Sequence, residues 1–85
     1  MTQQLGRYRT IGKGAEVIAL EPRRVAVRVT DGVPEKLVRQ LIAIEQACCP
    51  FFGLDWDSER RVFAVSVQSA EYEPALEAVT YALGI

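Results

Sequence analysis

The fold is decided by the stretch PEKLVRQLIAIEQACCPFF (residues 34–52), which predicts one amphipathic helix between two strand-rich segments. At 100° per residue its leucines and isoleucines gather on one arc, and its basic and amide side chains cover most of the remainder. The opening proline suits the first helical position, and Pro50 disfavours helical geometry in the residue before it. We therefore predict a helix over residues 34–48 that stops at the pair Cys48-Cys49.

Shorter apolar runs on both sides of this helix are typical of strands. Their residues alternate between apolar and polar character or are rich in β-branched side chains. The longest run is apolar on both faces, which favours a central position in a sheet or an outer face that meets a partner. The predicted strands are Glu16–Leu20, Arg24–Thr30, Leu54–Asp57 and Arg61–Gln68. An apolar stripe from Tyr72 to Leu83 then predicts a last helix, and Gly84 is a natural stop for it.

The order of these elements is ββαββα. We expect an α+β fold in which a four-stranded antiparallel sheet carries two helices packed on one face. The polar, glycine-bearing residues 1–14 are interpreted as a flexible lead-in, to which Tyr8–Ile11 could add a short strand. Residues 15–85 are interpreted as a single α+β domain.

Composition excludes several classes of function. The chain has 85 residues, a net charge of −1 and no histidine, so we expect neither a nucleic-acid partner nor a histidine-based catalytic site. No apolar run approaches the roughly 20 residues of a membrane span, and the start lacks the apolar core of a signal peptide. We expect a cytoplasmic protein with reduced thiols. A chain this small buries only about 60% of its unfolded surface, and we expect a homodimer formed through a face or an edge of the sheet.

Chemistry-bearing residues are concentrated where the first helix ends. Glu45, Cys48 and Cys49 lie within one turn, with Glu45 at about 80° in the middle of the apolar arc. A helix C-terminus disfavours a thiolate nucleophile, and adjacent Cα atoms about 3.8 Å apart are too close for an unstrained disulfide. Two thiols and a carboxylate suit a soft metal ion such as zinc or a heavier metal, or a thiol-reactive ligand. We therefore take Glu45, Cys48 and Cys49 as candidate metal ligands and predict no catalytic residue.

A second interpretation stays open for the same residues. Free cysteine behaves as a small apolar side chain, so Cys48 and Cys49 could be core in a structural or protein-interaction module. This interpretation is favoured for Cys48, and the two interpretations are evenly balanced for Cys49. The Glu45 carboxylate would then need a buried partner. The candidates for that partner are Arg28, the Trp56 indole and the hydroxyl of Tyr72 or Tyr81. The arginine pairs at 23–24 and 60–61 are interpreted as solvated hairpin corners.

Nearly the whole chain, from about Val17 to Leu83, resembles a family of small bacterial proteins. Their pattern is a hairpin, a helix that ends in Glu-x-x-Cys-Cys-Pro-Phe, a second hairpin and a final helix. In this sequence the motif is Glu45, Cys48, Cys49, Pro50 and Phe51. Similar segments occur beside or attached to MerR-like metal-responsive regulators, so the resemblance implies heavy-metal or thiol-related biology. The chain departs from the family in its short basic start, and it has no helix pair for binding DNA.

Overall fold

The computed structural model describes residues 2–85, with side chains from Gln4 onward. It contains three α-helices and four strands, and a short 3-10 turn over Ala70–Tyr72 precedes the last helix. In chain order these elements are α1 (Thr2–Gly12), β1 (Glu16–Glu21), β2 (Arg24–Arg28), α2 (Glu35–Cys48), β3 (Gly53–Asp57), β4 (Val62–Ser66) and α3 (Glu73–Ala82).

The strands form one antiparallel sheet in the order β1-β2-β4-β3. Each half of the molecule contributes a hairpin and the helix after it, and β2 and β4 pair along the middle. The predicted central position of the doubly apolar strand is confirmed, because β4 has neighbours on both sides. Val27 lies opposite Phe63 in this pairing, and both side chains are buried in the core.

The predicted order ββαββα, with two helices, is wrong because a third helix begins the fold. The helix α1 occupies the stretch interpreted as a flexible lead-in, and the segment Tyr8–Ile11 is helical rather than a strand. Tyr8 and Ile11 are 4% and 0% exposed and belong to the main core. The ring of Tyr8 lies 6.4 Å from that of Phe63 in the middle of the sheet. The sheet therefore receives apolar cover from α1 as well as from the two predicted helices.

Close contact with α3 fixes the end of α1. A Cβ atom on Gly12 would lie 1.9 Å from the carbonyl oxygen of Leu83, so only glycine fits there.

Within residues 2–85, none of the helices is long and apolar enough to cross a bilayer.

Arg61, at a predicted hairpin corner, hydrogen-bonds to the backbone of another segment. Arg61 has a positive φ of 56°, and its guanidinium donates to the carbonyl oxygens of Val29, Thr30 and Val33. The prediction of a solvated side chain is therefore wrong for Arg61, because its guanidinium holds the chain between β2 and α2. Arg23 is exposed as expected and pairs with Glu73 at 3.0 Å.

Candidate functional site

A groove of about 500 Å³ opens between α1, the last turns of α2 and α3. Its walls are mostly apolar, and its polar groups gather where α2 ends. We call it the thiol groove. It is lined by Gln4, Leu5, Tyr8, Ile44, Glu45, Cys48, Cys49, Phe51, Phe52, Ala75, Ala78, Val79 and Ala82. The three residues predicted as a site therefore line one solvent-connected space.

Glu45 is the only buried charged residue in the described chain, with 7% of its surface exposed. It lies on the same face of α2 as Val38 and Leu41, both of which are 0% exposed. Its position in the middle of the apolar arc is thereby confirmed. A carboxylate here loses most of its hydration and requires a hydrogen-bond donor.

That donor is the hydroxyl of Tyr8, which donates a short hydrogen bond to Glu45 Oε2. Burial, followed by this bond and the charge of Glu45, raises the pKa of Tyr8 well above its ordinary value. Tyr8 therefore stays protonated and remains a donor at any pH at which the protein would be handled. The bond joins α1 to α2 at the bottom of the thiol groove.

A second contact joins the same two helices. The side-chain amide of Gln4 donates to the carbonyl oxygen of Leu41 at 3.2 Å, and Arg7 donates to Gln4 Oε1 at 3.2 Å. Gln4 and Tyr8 are four residues apart, so they lie on one face of α1. This helix therefore forms a wall of the groove and positions the Glu45 carboxylate.

None of the four expected partners of Glu45 is the observed one, although the observed partner is also a tyrosine hydroxyl. Arg28 pairs with Glu16 at 2.5 Å, and Trp56 lies beside Arg61, whose guanidinium carbon is 5.6 Å from the ring centroid. Tyr81 is 80% exposed, and Tyr72 stacks on Phe51. The actual partner, Tyr8, lies in α1, where the sequence predicts a flexible lead-in. The spacing of Tyr8 and Ile11, three residues apart, is the one sequence signal for a buried helical face here.

The helix α2 ends as predicted, and its end determines the environment of the two thiols. The Cys49 amide donates to the Glu45 carbonyl at 2.7 Å, and the Phe52 amide donates to the Cys49 carbonyl at 3.1 Å. Both cysteines are free; Cys48 is exposed and Cys49 is half-buried. The core interpretation favoured for Cys48 is therefore wrong, while Cys49 packs against the edge of the core.

The thiol of Cys49 has a raised pKa. Burial, a hydrogen bond with Cys48 and the nearby Glu45 charge raise the pKa of Cys49 to about 11. At neutral pH Cys49 is therefore a thiol and a weak nucleophile. The shift has the direction that the negative end of the α2 dipole favours for Cys49.

Aromatic residues after the helix form the wall next to the sulfurs. The rings of Phe51 and Tyr72 stack with centroids 4.5 Å apart, and those of Phe51 and Phe52 are tilted at 4.7 Å. Ala75, Ala78 and Ala82 of α3 also line the groove and contribute only methyl groups. With a volume of about 500 Å³, the groove has space for a side chain or a small molecule.

A structural metal site needs several ligand side chains around one point. Among the residues that the structure describes, no group of three or more cysteine, aspartate or glutamate side chains is arranged to hold one metal ion. Tyr8 donates to Glu45 Oε2, and both cysteine sulfurs are free of a disulfide. The arrangement can therefore form up to two bonds to a thiol-seeking atom and offer it apolar surroundings.

Comparison with known proteins found no matching family model, no matching curated protein and no matching solved structure. The resemblance carried by Glu45, Cys48, Cys49, Pro50 and Phe51 accordingly stays a hypothesis.

Proposed function

We propose that this chain is a small accessory protein that binds a thiol-seeking ligand, a soft metal ion or an electrophile, through Cys48 and Cys49. The observation that carries the proposal is that both free sulfurs line one groove with the buried Glu45 carboxylate. A pair of core cysteines would not have this access to solvent.

The chemistry of the groups around the sulfurs supports a cationic or electrophilic ligand. Thiolates prefer soft ions such as zinc, copper(I) and heavier metals. The carbonyl groups at the end of α2 carry a partial negative charge, which favours a cation there. Glu45 adds negative charge near the sulfurs, and the Tyr8 hydroxyl holds its carboxylate in place.

Titration of the reduced protein with Cd²⁺ or Hg²⁺ tests the proposal. We expect thiolate-to-metal absorption to appear at micromolar ion and to be strongly reduced in Cys48→Ser and in Cys49→Ser. Ala47→Ser is the matched control, because it adds a hydroxyl to the same exposed helix turn and removes no sulfur. Absence of the absorption band in the wild-type protein would refute metal binding by this pair.

The cellular setting follows from the same thiols. We place the protein in the bacterial cytoplasm, where thiols are kept reduced and available to a ligand. The resemblance to small bacterial proteins found near MerR-like metal-responsive regulators supports a role in metal or thiol biology.

A second candidate function is self-association, which the exposed edge of the sheet favours. The edge strand β1 and the end of α3 together carry five exposed large apolar side chains, and Leu20 and Tyr81 are 58% and 80% exposed. The five are Val17, Ile18, Leu20, Tyr81 and Ile85. An exposed apolar edge strand is a template for pairing with another strand. A second copy paired through β1 would give this edge strand of each copy a hydrogen-bonding partner.

The oligomeric state of the protein and of Leu20→Lys tests this second function. We expect a dimer by analytical ultracentrifugation that the substitution converts to a monomer, because lysine would place a charge at the apolar edge. Lys13→Gln, at an exposed position outside β1, is the control and should leave the dimer intact. A wild-type monomer at tens of micromolar would contradict the idea and leave the thiol site unaffected.

A further inference from the structure

We infer that the preferred ligand is a thiol-seeking atom that carries an apolar organic group, of the chemical class of a monosubstituted trivalent arsenical. This inference rests on the proposed function and adds to it the class of ligand. Its basis is the position of two adjacent thiols in a groove whose lining is mostly apolar.

The groove offers more space than a bare ion needs. Its volume is about 500 Å³, and it extends from the sulfurs past Phe51 and Phe52 to the alanines of α3. Leu5 and Ile44, which are 43% and 39% exposed, form its rims. A hydrated ion at the sulfurs would leave these surfaces in water, whereas an aromatic or alkyl substituent would cover them, which is favourable in proportion to the apolar area removed from water.

The cysteines suit an atom that forms two bonds to sulfur and keeps one to carbon. Their Cα atoms are about 3.8 Å apart because they are neighbours in the chain. Both side chains line the groove, so one arsenic atom bonded to both sulfurs would close a ring through the peptide bond between the two residues. Glu45 need not be displaced from Tyr8, since the third bond of the atom belongs to its own substituent.

The binding step is a condensation in which no group is oxidised or reduced. A hydrated arsenical R–As(OH)₂ reacts with the thiols of Cys48 and Cys49 to give R–As(S–Cys)₂ and two water molecules. Each As–S bond that forms replaces an As–O bond, and each thiol proton leaves with a hydroxide as water. Arsenic remains trivalent throughout, so no further reactant is required.

Competition binding of phenylarsine oxide and arsenite to the reduced protein tests this inference. The preference for the phenyl compound, expressed as the ratio of the two dissociation constants, is compared between the wild type and Ala78→Trp. Ala78 is exposed and lines the groove on α3, so a tryptophan there fills the space without entering the core. We expect this substitution to lower the phenyl preference at least tenfold, because phenylarsine oxide loses the space for its ring and arsenite has no ring to accommodate.

Ala43→Trp is the matched control, because Ala43 is exposed on α2 and lies outside the groove lining. This control should keep the wild-type preference. Comparing the preference between proteins cancels the intrinsic difference in thiol affinity between the two arsenicals. If the preference is the same in all three proteins while arsenite still binds, the organic-ligand inference is overturned and the thiol site stands. If neither arsenical nor a soft ion binds the wild type, both proposals are overturned.

Discussion

The hydrogen bond between Tyr8 and Glu45 is expected to be the strongest single link between α1 and the rest of the fold. In Tyr8→Phe the ring keeps its contact with Phe63, and only the hydroxyl that donates to the Glu45 carboxylate is lost. A hydrogen bond to a charged group contributes about 1.5–3 kcal/mol, and a buried acceptor left without a donor costs a similar amount. Because Glu45 is 7% exposed, little water can replace the hydroxyl, and we expect a loss of about 2 kcal/mol in the free energy of unfolding.

Urea denaturation followed by circular dichroism measures this loss. With a slope of about 1 kcal/mol per molar urea for a small domain, the midpoint should fall by about 2 M. Tyr81→Phe is the matched control, since its ring is 80% exposed and the change should stay within about 0.5 kcal/mol. In a Glu45→Leu background the same Tyr8→Phe substitution should become neutral or stabilising, because the hydroxyl then has no acceptor. A loss below about 0.5 kcal/mol in the wild-type background, or an equal loss in both backgrounds, would refute the reasoning.

Three further results follow from the geometry. Gly12→Ala places a Cβ atom 1.9 Å from the Leu83 carbonyl oxygen, so it should destabilise the protein by about 1–3 kcal/mol. It should also speed amide hydrogen exchange throughout α1, and unchanged exchange rates would contradict that contact. Arg61→Met removes the guanidinium that donates to three carbonyl oxygens and should lower the free energy of unfolding by about 2 kcal/mol. An unchanged free energy of unfolding in a urea titration would show that these hydrogen bonds are not needed for stability. Iodoacetamide should label the exposed Cys48 first, and the labelling rate of Cys49 should keep rising with pH toward an apparent pKa of about 11. Equal labelling rates at the two cysteines, measured by peptide mapping, would argue against the described burial of Cys49.

Most of the sheet and α2 could be predicted because local signals agreed with the final fold. The run from Arg24 alternates strictly, and β2 occupies its first five residues. The helix α2 has a proline before its first residue and Pro50 just beyond its last, and its observed bounds differ from the prediction only at the first residue. β4 could be assigned to the middle of the sheet because both of its faces are apolar.

The helix α1 could not be predicted with the same procedure because tertiary contacts, rather than local propensity, stabilise it. Its sequence contains Gly6 among arginine, glutamine and threonine, which together give little apolar character. Among the α1 side chains described from Gln4 onward, only Tyr8 and Ile11 are buried, and both need the sheet and the other helices as neighbours. A glycine that sequence reasoning takes for flexibility, Gly12, serves close packing instead.

The sequence predicted the position of Glu45 in the candidate site, but not the exposure of Cys48 or the partner of Glu45. A helical projection correctly placed Glu45 on the buried face, but it also placed Cys48 toward the core. The projection treats α2 as if other elements covered its whole length. At the last turn the chain leaves the helix before Pro50, and Cys48 is exposed. The partner of Glu45 could not be identified because the helix that supplies Tyr8 had not been recognised.

The central claim is that Cys48 and Cys49 act together as one binding site in the thiol groove. The most direct test is the number of thiols that react with a maleimide after one equivalent of phenylarsine oxide has been added to the reduced protein. One arsenic atom bridging the pair predicts that both thiols are lost at one equivalent and that both return when a small dithiol removes the arsenical. If both thiols still react after one equivalent, the two cysteines do not form a common site.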